Sequence, residues 1–183
     1  MVTDQYERVR CVPYNDETHR AQSFKMLLES GKWLNNEIKT RYGINFFLGG
    51  DVRKVAERVF PRFVAAKPPD GLFYILIVDS EVAGISRLSK LDEDIGEISN
   101  MYIRPKDRGN GYSYLLLERL EATARGFGFF KLLLSTAGFN VIAQNLYKKA
   151  GFKERERYSG IAFIENESTQ LYIEDKVYME KIL

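Results

Sequence analysis

Two short stretches hold residue types whose spacing could do chemistry. The first is Arg108-Gly109-Asn110-Gly111, directly before a run of leucines at helical spacing. Glycine is the poorest helix former after proline, so a pair of glycines at a helix start serves the backbone rather than the side chain. Where a strand turns into a helix, the first helical amides are unpaired. Together with the helix dipole they form an anion site that suits a pyrophosphate. Gly109 and Gly111 would let the chain curl against such a group, Asn110 and Ser113 would add donors, and Arg108 would either add charge or brace the turn. Gly-x-Gly also occurs in ordinary turns. A Rossmann fingerprint is excluded because Tyr114 stands where a third small residue belongs, and a P-loop because no Gly-Lys-Ser/Thr is present.

The second stretch is NVIAQNLYKKAGF, from Asn140 to Phe152. Asn140, Ala143 and Tyr147 are spaced to share one helix face, presenting an amide, a small gap and a phenol. Ile142, Leu146 and Ala150 fall about a quarter-turn away and read as the packing face. A tyrosine on an amphipathic helix is often core or rim, so this stretch gains weight only beside the glycine turn.

The surrounding pattern supplies elements able to hold both stretches. Residues Tyr6 to Val12 alternate as a strand that ends at Pro13, and Thr18 to about Ala66 reads as two or three short helices. LFYILIVD, Leu72 to Asp79, is apolar on both faces and reads as a buried strand, with Asp79 and Ser80 as a hairpin tip into EVAGISRLSKL. IGEISNMYIRP follows, with Ile98, Asn100 and Tyr102 on one side and Glu97, Ser99, Met101 and Ile103 on the other. Behind the glycine turn, Leu116, Leu120, Ala124 and Phe127 share a helix face, and Gly126 and Gly128 stop the helix. FKLLLST is then a buried strand. Strand, turn, helix and strand make a right-handed βαβ unit with parallel strands. FKERERY and DKVYMEKIL add final strands, for an α/β composite that is antiparallel early and parallel in the middle.

The chain of 183 residues suits one domain, and 45% apolar residues suffice for a core. With 27 basic against 25 acidic residues, the net charge of +2 gives no field that favours nucleic acid or an anionic membrane. A single cysteine, Cys11, and a single histidine, His19, leave no disulfide framework and almost no route to a zinc site. No apolar run reaches a membrane span and the first residues lack a signal-peptide core, so a cytoplasmic protein is expected.

From about Leu72 onward the chain resembles the GNAT superfamily of acetyl-coenzyme A-dependent N-acetyltransferases. Its loop pattern Arg/Gln-x-x-Gly-x-Gly/Ala is met by Arg108, Gly111 and, less closely, Ser113. Its later pattern Asn-x-x-Ala-x-x-x-Tyr-x-x-x-Gly-Phe is met at Asn140, Ala143, Tyr147, Gly151 and Phe152. Before Leu72 the match is only in the order of a strand and helices. The resemblance implies a GNAT acyltransferase fold. In that fold a mixed, mostly antiparallel sheet carries a central parallel βαβ pair, splayed to hold coenzyme A and flanked by helices. It further implies one domain over residues 1–183, with acceptor-side helices at about 14–68 and a coenzyme A core at about 72–158.

Carried over by position, the resemblance implies that the amides of Arg108, Gly109, Asn110, Gly111, Tyr112 and Ser113 bind the coenzyme A pyrophosphate. It implies that the backbone of Met101 and Ile103 pairs with the pantetheine arm, with Asn140 and Ala143 beside it and Tyr147 near the thioester sulfur. Glu97 is the implied general base, alone or through water, and the N–H of Met101 the group facing the oxyanion. The co-substrate is then acetyl-CoA, with no metal. The acceptor is a small-molecule or peptide amine, and the protein a monomer or homodimer. Acceptor choice is assigned to the helices before Leu72 and to Ser159–Glu174; the acidic residues Glu165, Glu167, Glu174 and Asp175 would meet a cationic amine such as a polyamine or simply be solvated, and they read as solvated. Direct attack in a ternary complex is expected, because Cys11 sits in an apolar strand far from either motif. Two other readings stay open: a coenzyme A-binding regulatory module without catalysis, and a protein N-terminal or lysine acetyltransferase.

Overall fold

Runs of β-branched and aromatic residues dictate the sheet, and polar segments with spaced apolar residues dictate the helices that cover it. The computed structural model describes residues 8–47, 51–158 and 170–183. In chain order the elements are β1 (Val9–Pro13), α1 (Asp16–Tyr42), α2 (Val52–Val64), β2 (Gly71–Val78), β3 (Glu81–Asp92), β4 (Ile95–Ile103), a 3-10 turn (Pro105–Asp107), α3 (Tyr112–Gly126), β5 (Lys131–Ala137), α4 (Val141–Lys149), β6 (Lys153–Arg155), α5 (Gln170–Glu174) and β7 (Lys176–Ile182). The seven strands form one sheet in the order β1-β2-β3-β4-β5-β7-β6. Every neighbouring pair is antiparallel except β4 and β5, which are parallel and joined through α3.

Each sheet face buries a different set of side chains. On one face Leu116, Leu117, Leu120 and Ala124 of α3 and Tyr147 of α4 pack on Tyr74, Leu76, Leu88, Ile98, Ile103, Leu132 and Leu134. Burial of each such leucine contributes about 1.5–3 kcal/mol. On the other face Met26 of α1 meets Phe73, Ile75, Ile77, Ile85 and Tyr102. Leu27 of α1 packs with Ala56 and Phe60 of α2.

The segment read as two or three short helices is two, and the first runs unbroken for 27 residues. Asn15 caps it by accepting from the Thr18 amide, and Gly43, at φ 70°, ends it. Gly31 lies inside the helix; a Cβ there would come within 2.9 Å of Val52 Cγ1, so its absence lets α2 start against α1. Asp79 and Ser80, at φ 49° and 68°, form the β2–β3 hairpin tip as expected. Such paired left-handed residues match the twist of the flanking strands.

Strict alternation along β4 does not hold. Ile85 pairs with Tyr102 and Arg87 with Ser99, so Asn100 and Met101 together stand opposite Ser86 in a bulge. Asn100 occupies the left-handed region at φ 54° to make it. One inserted residue reverses all later side chains. Ile98 therefore packs under α3 while Tyr102 packs under α1, instead of sharing a face. A second correction falls on α4. Ile142 is 83% exposed, and the inward face is made by Ala143, Leu146, Tyr147 and Ala150.

Candidate active site

The glycine turn is built from main chain. Arg108 donates through Nε to the Ile103 carbonyl at 2.9 Å, and its guanidinium carbon lies 5.6 Å from the Tyr102 ring and 6.0 Å from Trp33. Asn110 donates through Nδ2 to the carbonyls of Asp107 and Arg108, both at 3.2 Å. Both side chains thus fasten the turn to itself. Gly109 and Gly111 have φ 81° and 78° with open space where a Cβ would stand, so their requirement is the dihedral and not the room. The Arg108 amide is tied to Pro105, while the amides of Tyr114 and Leu115 reach the Gly111 carbonyl. Between them the amides of Gly109, Asn110, Gly111, Tyr112 and Ser113 have no main-chain partner among the described residues. Five donors at the head of a 15-residue helix form an anion cradle.

From this cradle β4 leads back to a cleft. The β4–β5 ladder runs only from Ile95 and Lys131 to Ile98 and Leu134; beyond it β4 stays on β3 while β5 stays on β7. Met101 lies past that fork, skipped by the β3 register because of the bulge. Tyr147 donates toward Met101 Sδ across the gap at 3.8 Å. Asn140 caps α4, its Oδ1 accepting from the Ala143 amide at 3.3 Å. A cavity of about 710 Å³ opens at the fork beneath α1 and α2 and brings together Glu97, Met101, Asn140, Ala143 and Tyr147. Ile103 and residues 108–113 do not line it; they sit along and beyond the far end of β4.

Burial sets the proton affinities here. Glu97 is 7% exposed, and its Oε1 accepts from Tyr158 Oη at 2.9 Å. Loss of solvent raises the Glu97 pKa above the usual carboxylate range, while the Tyr158 hydrogen bond and the charges of Lys176 and Arg87 pull it back. Tyr147, buried against Phe152, is pushed up to about 12 by desolvation and stays a phenol at neutral pH. Cys11 is likewise raised to about 12 by burial and lies outside the cavity, packed against the α3 core. Among the described residues no group of three or more His, Cys, Asp or Glu is placed to hold a metal ion. No helix among them is long and apolar enough to cross a membrane.

Sequence spacing gave no sign of Arg87, Tyr158 or Lys176, which reach Glu97 from β3, from the segment after β6 and from β7 respectively. Arg87 alone left a trace, as one cation inside the otherwise buried run Val82–Leu88. The segment assigned to acceptor choice lies, over residues 159–169, outside the described residues.

Several known proteins are similar to this chain in sequence or in fold. An IAA acetyltransferase of Azospirillum brasilense is 33% identical over 88 residues, or 48% of this chain and 58% of that protein, so the chain spans about half the length of such relatives. A GNAT-family acetyltransferase of Staphylococcus aureus Mu50 superposes with a TM-score of 0.68 at 17% identity, covering 96% of this chain and 99% of that one. A GNAT-family acetyltransferase of Elizabethkingia anophelis, solved with acetyl-CoA bound, superposes at 0.63 and 17% identity, covering 97% and 99%. At such identities the superpositions establish the fold alone. The model of the acetyltransferase (GNAT) family matches residues 39–152, which take in the end of α1, the glycine turn, the fork and α4. The chain belongs to the acetyltransferase (GNAT) family.

Proposed function

We propose that the protein is an N-acetyltransferase that moves an acetyl group from acetyl-CoA to a primary amine by direct attack in a ternary complex. The observation that carries this reading is the fork between β4 and β5, with an anion cradle at one end and a carboxylate–phenol pair at the other. The residues present fit coenzyme A. The amides of Gly109–Ser113 would take its pyrophosphate, and the main chain of Met101 and Ile103, on the side of β4 that β5 has left, would take the pantetheine as an added strand. Asn140 and Ala143 flank that path. Relatives named as acetyltransferases, and a neighbour in fold holding acetyl-CoA, support the same assignment.

Each residue near the fork then has a task. A primary amine with a pKa of about 10.4 is only about one part in a thousand neutral at pH 7, so a proton acceptor helps. Glu97, held partly back from ionisation by burial, accepts that proton directly or through one water. The Met101 N–H faces the developing oxyanion. Tyr147 stays protonated and donates to the departing sulfur; being a weaker acid than a thiol, it stabilises the thiolate by a hydrogen bond before any full transfer. The apolar setting of Cys11 argues against a covalent acetyl-enzyme. A binding module without catalysis would need the cradle and Asn140 but would have no use for a carboxylate and a phenol at the fork.

The test is a melt with acetyl-CoA followed by a thiol-release assay over an amine panel. Acetyl-CoA at about 100 times its dissociation constant should add about 2.7 kcal/mol of stability. NAD and ATP should add none. No stabilisation by acetyl-CoA, and no thiol released with any amine, would end this reading.

A further inference from the structure

The cavity beneath α1 and α2 carries more positive charge than deprotonating an amine requires. Among the described residues Lys54, Arg58, Arg62, Arg87 and Lys176 line it, together with two carboxylates, Asp51 and Glu97. Lys54 is matched to Asp51 at 3.8 Å. Arg58 and Arg62 stand four residues apart on α2, exposed at the cavity rim, and neither forms an ion pair among the described residues.

Arg87 differs from these rim cations. It leaves β3 on the α1/α2 face, its Nε is shut off from solvent with no hydrogen-bond partner, and its guanidinium carbon lies 5.5 Å from the Phe63 ring. Burial acts to lower its pKa, opposed only by the charge of Glu97, yet a guanidinium remains charged throughout the working pH range. A desolvated donor on a cation is costly, and among the described residues no side chain accepts a hydrogen bond from this one. The planar fork of arginine fits two oxygens of a carboxylate or a phosphate, and an oxyanion entering the cavity would satisfy it.

Glu97 stands close by on the same face. Arg87 pairs across the ladder with Ser99, and Glu97 lies two residues along β4 from Ser99, so the two charged residues are diagonal neighbours with backbones roughly 7–8 Å apart. Both point into one cavity. We propose that the acceptor is a primary amine bearing an anionic group, carboxylate or phosphate, a few bonds away, with its amine at Glu97 and its anion gripped by Arg87. Arg58 and Arg62 draw such a molecule to the mouth. A polyamine or an aminoglycoside, cationic throughout, meets the opposite field. This inference rests on the N-acetyltransferase reading and narrows its acceptor.

The test uses the full chain with saturating acetyl-CoA and matched pairs of acceptors. The common amino acids are compared with their carboxamides and phosphoethanolamine with ethanolamine, and spermidine and cadaverine are included. At least one anionic acceptor should exceed its neutral partner in kcat/KM on the order of tenfold to a hundredfold, the scale of a hydrogen bond to a charged group. Which pair responds separates carboxylate from phosphate. Arg87→Gln should collapse that ratio toward one while keeping the acetyl-CoA melting shift, and Arg87→Lys, a charge without the fork, should fall between. The inference is overturned if neutral or polycationic amines do as well, if no anionic amine is acetylated, or if Arg87→Gln slows both members of each pair alike. Should Arg87→Gln fail to fold, the wild-type ratios decide. Stabilisation by acetyl-CoA with turnover of neutral amines would sink only this inference. Absence of both stabilisation and thiol release would sink the proposed function as well.

Discussion

Burial acts on Glu97 and Tyr147 with the same sign and opposite chemical effect. It makes the carboxylate a better proton acceptor and keeps the phenol a donor. Tyr147→Phe removes the donor while leaving the ring on Phe152, so turnover should fall about 10²-fold or more with the acetyl-CoA melting shift unchanged. An unaltered rate would remove Tyr147 from the mechanism. Tyr158 stabilises the ionised form of Glu97, so Tyr158→Phe should move the acidic limb of the pH–rate profile to higher pH. A limb that stays put would mean that another group titrates. Folding is coupled to the same proton. Glu97 binds it more tightly folded than unfolded, so its contribution to stability is complete below the ordinary carboxylate pKa of ~4.3 and is lost as pH rises through the folded value. Glu97→Gln has no such slope. Its melting temperature should gain on the wild type as pH rises from about 4, the ordinary carboxylate value, through the raised pKa of the folded state, as calorimetry over a pH series would record.

Backbone positions with positive φ decide where the elements aim these groups. At Asn100 the left-handed residue makes the bulge that moves Met101 out of register. Asn100→Gly should melt within a few tenths of a kcal/mol of the wild type, whereas Asn100→Val should cost about 1–3 kcal/mol and depress turnover. Gly111→Ala meets no atom, so its penalty is the φ of 78°, about 1–2 kcal/mol, together with a weaker acetyl-CoA melting shift. Periodicity made β2, α3 and β5 legible because each presents one steady face or is buried on both. The bulge was not legible, since an Asn in a strand gives no signal of an inserted residue until its partner strand is known. Nor was the length of α1. Its buried residues Met26, Leu27 and Ile38 serve three different partners, the sheet, α2 and Tyr172, so no single stripe runs along it.

Across the whole molecule, the two halves of the site differ in how local they are. The glycine turn and the Asn140–Tyr147 helix face are each complete within a dozen or so residues, so the sequence displays them. Arg87, Tyr158 and Lys176 converge on Glu97 only after the sheet has formed, and no spacing announces them. The same long-range dependence makes β7 indispensable. It is paired with β5 over seven residues from Lys131–Ile182 to Ala137–Lys176, carries the fully buried Met179, and alone connects β6 to the sheet. A chain stopped after Asp175 should therefore lose its cooperative melt, which circular dichroism would register as a missing transition. The fork, finally, has a cost for the empty protein. Two strands that part inside a sheet expose raw hydrogen-bonding margins that a stranger's strand can seat upon. Acetyl-CoA lying in that gap would guard against the trespass, so concentrated stocks kept without acetyl-CoA should cloud sooner than stocks kept with it.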